Sequence, residues 1–236
     1  MIKGKDLMEK NKELKKELYT IFWVFVFGCI FGSLVETAYE LIVDGTFHVR
    51  TGLIYGAFIP VYGAGAVMYY FLVSNIRDVF KVFLSSMALG GFVEYSSSYI
   101  QEIFFGTISW EYSEFAFNIN GRTSLIHCIF WGAAGVFYIT MAYPIIIKFL
   151  SGYNKHEFKV LTYAVMIFMI FNIGISCAAG YRQNERVLGI NAKNKLDEVL
   201  DKYYPDSRMN RIYFNKIITV NNGRNIENKG EFLNAE

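Results

Sequence analysis

Proline, cysteine and histidine are scarce in this sequence, three of each in 236 residues. So few prolines leave long stretches without a residue that would interrupt a helix. Charge is also thin: Asp, Glu, Lys and Arg make up 19% of the chain and crowd into residues 1–17 and 182–236. The three cysteines, Cys29, Cys128 and Cys177, have neither metal-ligand spacing nor a pairing pattern, and read as small apolar core residues. There is no glycine-rich phosphate loop ending in Lys-Ser/Thr, no His-Glu-x-x-His and no nucleophile elbow. The expectation is a non-enzyme with no catalytic residues, no metal and no cofactor; any ATP would be bound by another chain. A net charge of +2, with mixed signs at both ends, gives no footprint for nucleic acid.

What the chain does have is apolar length. Hydrophobic residues make up 53% and aromatics 18%. A membrane-spanning helix needs roughly 20 mostly apolar residues, because the hydrocarbon core is about 30 Å thick. Five stretches qualify: about 19–43, 53–74, 79–104, 123–149 and 159–180. The predicted fold class is all-α, a five-span membrane protein in contact with the lipid bilayer. Residues 1–18 form a charged leading segment, 19–180 the membrane domain, and 181–236 a polar tail. The first apolar run lacks a small-x-small cleavage site and reads as a retained signal anchor.

Lys and Arg near the span ends set orientation. With the N-terminus cytoplasmic, the inner side carries the six N-terminal lysines, Arg77, Lys81, Lys148, Lys155 and Lys159. The outer side carries Arg50, Arg122, Arg182, Arg186, Lys193 and Lys195. The expectation is a cell-membrane protein with its N-terminus inside and its tail outside.

An internal repeat organises the spans. Arg50-Thr51-Gly52-Leu53-Ile54 is matched by Arg122-Thr123-Ser124-Leu125-Ile126, and a small-residue patch follows each. Gly32-x-x-x-Glu36 is echoed by Gly90-x-x-x-Glu94, and Gly45-Thr46 by Gly106-Thr107. A two-span hairpin is therefore duplicated, repeat one over 19–75 and repeat two over 78–149, with the span at 159–180 left over. Loop 106–122 brings Trp110, Tyr112, Phe115 and Phe117, residues suited to the membrane interface. In the tail, Asn194 followed by Asp197 starts a short amphipathic helix near 194–204, with Leu196, Val199, Leu200 and Tyr203 on one face. Pro205 stops it, and the stretch around Asn221-Asn222-Gly223 and Asn225 reads as loose.

Ionisable groups inside a membrane cost roughly 2.5–3.5 kcal/mol each at the helix centre, so each needs a reason. Glu36 and Glu40 share one face of the first span, Glu94 holds the matching place in the third, and Glu102 lies two turns further on. Arg50 and Arg122 enter from the same side, with Asn118, Asn120, Tyr62 and His127 within reach. Two readings stand. Glu–Arg pairs could lock the hairpins together, or the cluster could hold a small charged solute, an ion or a lipid headgroup. His127 by itself reads as a core histidine.

The run from Gly52 through Ile54-Tyr55-Gly56-Ala57-Phe58-Ile59-Pro60-Val61-Tyr62-Gly63 to Gly65 resembles a signature of the "putative ABC-transporter type IV" membrane proteins, common in Firmicutes and so bacterial. Trp110-Glu111-Tyr112-Ser113, Phe117-Asn118-Ile119-Asn120-Gly121-Arg122 and Glu94-Tyr95 are similar to further family segments, with Ala57 and Glu111 as departures. The resemblance implies a permease-like transport component working with a separate ATPase. Alternatives are a non-transporting accessory, sensor or scaffold protein and, further off, an intramembrane enzyme acting on lipid. A homo-oligomer is compatible with so small a pore-former.

Overall fold

Helix dominates the chain, and its breaks fall where the sequence supplies glycine, proline or a capping side chain. The computed structural model describes residues 2–43, 45–150, 156–220 and 225–226. Helix α1 runs Ile2–Val43, α2 Pro60–Leu72, α3 Val79–Phe105 and α4 Leu125–Phe137. A π-helical turn, Tyr138–Ala142, joins α4 to α5, Tyr143–Leu150, and α6 spans His156–Val187. The tail holds α7, Lys195–Tyr203, and α8, Asp206–Ile212. Strands β1, Thr107–Ile108, β2, Ile217–Val220, and β3, Asn225–Ile226, form a small antiparallel sheet in the order β1-β2-β3.

Among the described residues, three helical segments are long and apolar enough to cross a membrane: Lys10–Val43, Leu125–Leu150 and Phe158–Val187. Helix α3 has comparable length, 27 residues, but carries Lys81, Glu94 and Glu102.

The stretch expected as a continuous span over 53–74 is helical only from Pro60. Thirteen residues rise about 20 Å, short of the roughly 30 Å hydrocarbon core. Gly56 adopts a left-handed φ of +78°, and Pro60 opens α2 at a position where its missing N–H costs nothing. Ile59 N–H donates to the carbonyl of Cys29 at 3.1 Å, so α2 begins beside the middle of α1 and runs antiparallel along its first half. Irregular backbone at membrane depth is tolerated only where protein satisfies it. Here Thr51 Oγ donates at 2.8 Å to the carbonyls of Leu53 and Gly56, and Gly52 N–H bonds Phe58 O. Helix α6 does the rest. Ile54 N–H donates to Ser176 Oγ at 2.9 Å, and Asn172 bonds both backbone groups of Tyr55.

Helices α1 and α2 meet at glycine, a Cβ on Gly28 coming within 2.9 Å of Gly63 Cα. Helices α3 and α4 meet where Ser86 fills the space a side chain on Gly135 would need. Val24, Ala66, Tyr69, Val73, Val82, Trp131 and Tyr138 form one buried core. A second joins Trp23 and Leu53 to Met169 of α6, with Trp23 Nε1 donating to Thr162 Oγ at 3.1 Å.

The tail is more ordered than its composition suggests. Asn194 caps α7 by accepting from Asp197 N–H at 3.0 Å, as expected. Beyond Pro205, α8 forms where no further helix was expected, and Asn225–Ile226 is a strand paired with β2. Residues 221–224 of the expected loose stretch lie outside the described residues. Leu200 is buried with Ile54, Ala179, Tyr204 and Met209, whereas Leu196, Val199 and Tyr203 are exposed. Arg182 and Arg186 of α6 clamp the tail through Asp201 and Asp206 at 2.6–2.9 Å. Thus the far ends of α1, α3 and α6 lie at one end of the bundle, together with both long loops.

Candidate polar site inside the bundle

Each polar side chain at this end is positioned by a helix face or a pinned loop. Ser33, Glu36, Thr37 and Glu40 share one face of α1. Arg50 lies against that face: its N–H donates to Thr37 Oγ at 3.0 Å, and its carbonyl accepts from Ser33 Oγ at 2.5 Å. Its guanidinium then reaches Glu36 at 3.3 Å and Glu40 at 3.8 Å. Phe214 of the tail covers it, 5.0 Å from guanidinium carbon to ring centroid. Glu36 also lies within electrostatic reach of the Tyr62 hydroxyl, in the first turn of α2, where a helix end favours negative charge.

The surroundings of Arg122 and Glu94 are arranged differently. Arg122, expected in one cluster with Glu36, Glu94 and Arg50, pairs with Glu102 and donates to Ser98 Oγ at 3.1 Å. The reason is the loop that carries it. Trp110 Nε1 holds the Arg122 carbonyl at 2.8 Å, and Tyr112 N–H holds Gly121 O at 2.8 Å. That leaves the guanidinium facing the last turns of α3, beside the rings of Tyr95 and Tyr99. Glu94, only 6% exposed, has neutral partners instead: Thr123 Oγ at 2.7 Å, Tyr112 hydroxyl at 3.4 Å and the Trp131 side chain. Glu36 lies close enough to act on it electrostatically. Tyr62 feels both carboxylates, as does Tyr112.

Of the expected residues, Glu36, Glu40, Arg50, Tyr62 and Glu94 therefore converge. Arg122 does not join them. Asn118 is occupied in the loop, donating to the carbonyls of Ser113 and Phe115, and Asn120 donates to Tyr95 at 3.1 Å. His127 stacks on Tyr112 with centroids 3.5 Å apart and bonds Ser124. Trp110 and Tyr112 face inward, Phe115 packs edge-on to Tyr112 and His127 while staying about half exposed, and Phe117 is the most exposed of the four loop aromatics. Sequence reasoning missed Tyr112, Thr123 and Trp131 as partners of Glu94. It also missed Asn172, whose signal was present: a buried amide in an otherwise apolar span needs a bonding partner.

Long apolar helices surrounding buried carboxylates define a helical integral membrane protein with a polar centre. A sequence profile matches residues 23–177, and the chain belongs to the family described as "Putative ABC-transporter type IV". No curated protein and no solved structure matches it.

Proposed function

We propose that this chain is a permease-like membrane component that moves a small solute and works with an ATPase supplied by another chain. The observation that carries the reading is the meeting of Glu36, Tyr62, Glu94 and Tyr112 inside the bundle, on four separate segments of the chain. Buried charge is costly in a membrane and marks solute or ion pathways. The family membership points the same way. In this reading the chain performs no covalent chemistry.

The same reading has five crossings, the second half irregular (45–59) and half helix (α2), with a cytoplasmic N-terminus on the lysine-rich side. Discontinuous spans of this kind recur at transporter binding sites. It also treats α1–α2 and α3–α4 as copies. The offset that takes Glu36 to Glu94 takes Gly28 to Ser86, and the offset that takes Arg50 to Arg122 takes Gly63 to Gly135. Gly28–Gly63 and Ser86–Gly135 are the close approaches of the two helix pairs.

The test is purification of the tagged chain from its native membrane in mild detergent. A stoichiometric ATPase partner is expected; its repeated absence from an intact bundle overturns the reading. One feature favours a second reading, a membrane scaffold: α7 exposes Leu196, Val199 and Tyr203 together. In that case Leu196→Ser with Tyr203→Ser abolishes partner capture while Glu94→Gln leaves it intact.

A further inference from the structure

Trp131 stands between two polar compartments. Its indole sits in a slot walled by glycine: a Cβ on Gly65 would lie 3.0 Å from the ring, and one on Gly90 would collide with it. Tyr62 lies against the ring with centroids 5.2 Å apart, and the Trp131 side chain lies beside Glu94. Three helices give the same order. Along α2 the order is Tyr62, Gly65, Tyr69; along α3, Glu94, Gly90, Ser86; and α4 places Trp131 before Gly135, with Tyr138 following it. Carboxylates therefore lie on one side of the indole and hydroxyls on the other.

The hydroxyl side is unusual for a bundle core. Tyr69 donates to the Trp131 carbonyl at 3.0 Å and approaches that of Ser86. Ser86 is wholly buried and Tyr138 only 8% exposed, yet neither hydroxyl has a hydrogen-bond partner among the described residues. An unsatisfied buried hydroxyl costs about 1–3 kcal/mol, so two in one core, on residues that both neighbour Tyr69, point to a ligand or water that they serve. Tyr138 also opens the π-helical turn, a distortion frequent at functional sites. Tyr143 lies next to Tyr138 and to Tyr70, ring centroids 6.0 Å apart in each case, and Tyr70 feels Glu17 at the lysine-rich end of α1.

We propose that this file of groups is a cation path through the bundle and that Trp131 is its gate. The proposal rests on the permease reading and names the class of solute. Glu36 and Glu40 share the Arg50 guanidinium, with His48 Nδ1 3.5 Å from Glu40, and Glu94 has no cationic partner among the described residues, while Arg122 is matched by Glu102. The centre is therefore negative and repels anions. The faces of Tyr62, Tyr112 and Trp131 add attraction for a cation. Tyr69, Ser86 and Tyr138 supply neutral oxygens, which replace part of a hydration shell without holding the ion tightly. The indole closes the line where Gly65 and Gly90 leave it no space to slide.

The full chain in liposomes, without an ATPase, tests this. Wild type is expected to be nearly as tight as protein-free vesicles, because the gate is shut. Trp131→Ala raises cation flux about tenfold or more, and Glu94→Gln added to it reverses most of the gain, as expected of a charge-selective pore. Separate proton, potassium and tetramethylammonium gradients identify the cation, and chloride flux stays at the vesicle background. Vesicles as tight with folded Trp131→Ala as with wild type overturn the gate, and chloride passing as fast as every cation tested overturns the charge assignment. A second variant keeps the indole: Ser86→Cys, with Cys29, Cys128 and Cys177 replaced by Ala, in permeabilised membranes. A cationic thiosulfonate modifies it about tenfold faster than an anionic one if the path is cation-selective; equal rates overturn the proposal. An ATPase that fails to co-purify leaves these results standing, so the two readings fall separately.

Discussion

The Asn172 amide closes on both backbone groups of Tyr55: Tyr55 N–H donates to Asn172 Oδ1 at 3.1 Å, and Asn172 Nδ2 donates to Tyr55 O at 2.6 Å. Asn172 is fully buried in α6, and the pairing imitates one rung of a sheet inside a helical bundle. It accounts for an irregular segment surviving between two helices. Asn172→Leu leaves two buried backbone groups unsatisfied, at about 1–3 kcal/mol each. Thermal unfolding in detergent should show a clear loss, and Ser176→Ala, which frees only Ile54 N–H, a smaller one.

Gly63 and Gly174 offer a matched contrast in helical glycines. A Cβ on Gly63 would lie 2.8 Å from the Phe25 carbonyl oxygen, whereas nothing comes within 4 Å of one on Gly174. Gly63→Ala forces α1 and α2 apart and lowers the unfolding temperature. Gly174→Ala removes a flexible residue from a helix interior and stabilises by up to about 1 kcal/mol. The sign of the shift in a thermal melt decides each case.

Glu94 and Arg122 should behave differently from each other. Arg122→Ala strands Glu102 and loosens the loop that Trp110 and Tyr112 pin, so faster protease cleavage within 106–124 is expected. Glu94→Gln keeps size and one of the two acceptor oxygens, leaves the protein folded, and abolishes transport. If Glu94→Gln transports normally, the carboxylate has no part in the path.

Lys216 carries the pH dependence of the tail. Its ammonium donates to Gln183 at 2.5 Å and Asn210 at 3.2 Å, neutral acceptors both, and burial pushes its pKa down to about 8. The unfolded chain, near 10.5, binds more protons between those values. Stability from this group is therefore full above pH 10.5 and is lost as pH falls through 8. Lys216→Met should remove that slope, which unfolding temperatures from pH 7.5 to 10.5 will read as the difference between variant and wild type.

Asp201 works in the opposite sense. Its hydrogen bonds from Arg182, then Arg186, hold its carboxyl below the usual range. The clamp on α7 is thus present above the ordinary carboxylate pKa and is lost as pH falls through the lower folded value. Asp201→Asn should release α7 at neutral pH, seen as faster hydrogen exchange at residues 195–203.

The membrane helices, the cap at Asn194 and the family were legible in the sequence because each depends on local composition. Twenty apolar residues commit a segment to lipid whatever surrounds it, and a signature run survives without coordinates. Gly56 and Pro60 were visible too, but whether they break a span depends on partners for the freed backbone groups, and Asn172 and Ser176 stand more than a hundred residues away. The sequence pattern placed Arg122 in one cluster with Glu36, Glu94 and Arg50. The bonded loop instead aimed its guanidinium at Glu102, since a rigid backbone fixes direction and similarity of sequence does not. The carboxylates, the indole of Trp131 and the hydroxyls beyond it share one axis only because glycines on α1, α2, α3 and α4 let the helix backbones come close. That convergence is a property of packing in three dimensions, where helix depth and rotation are decided together.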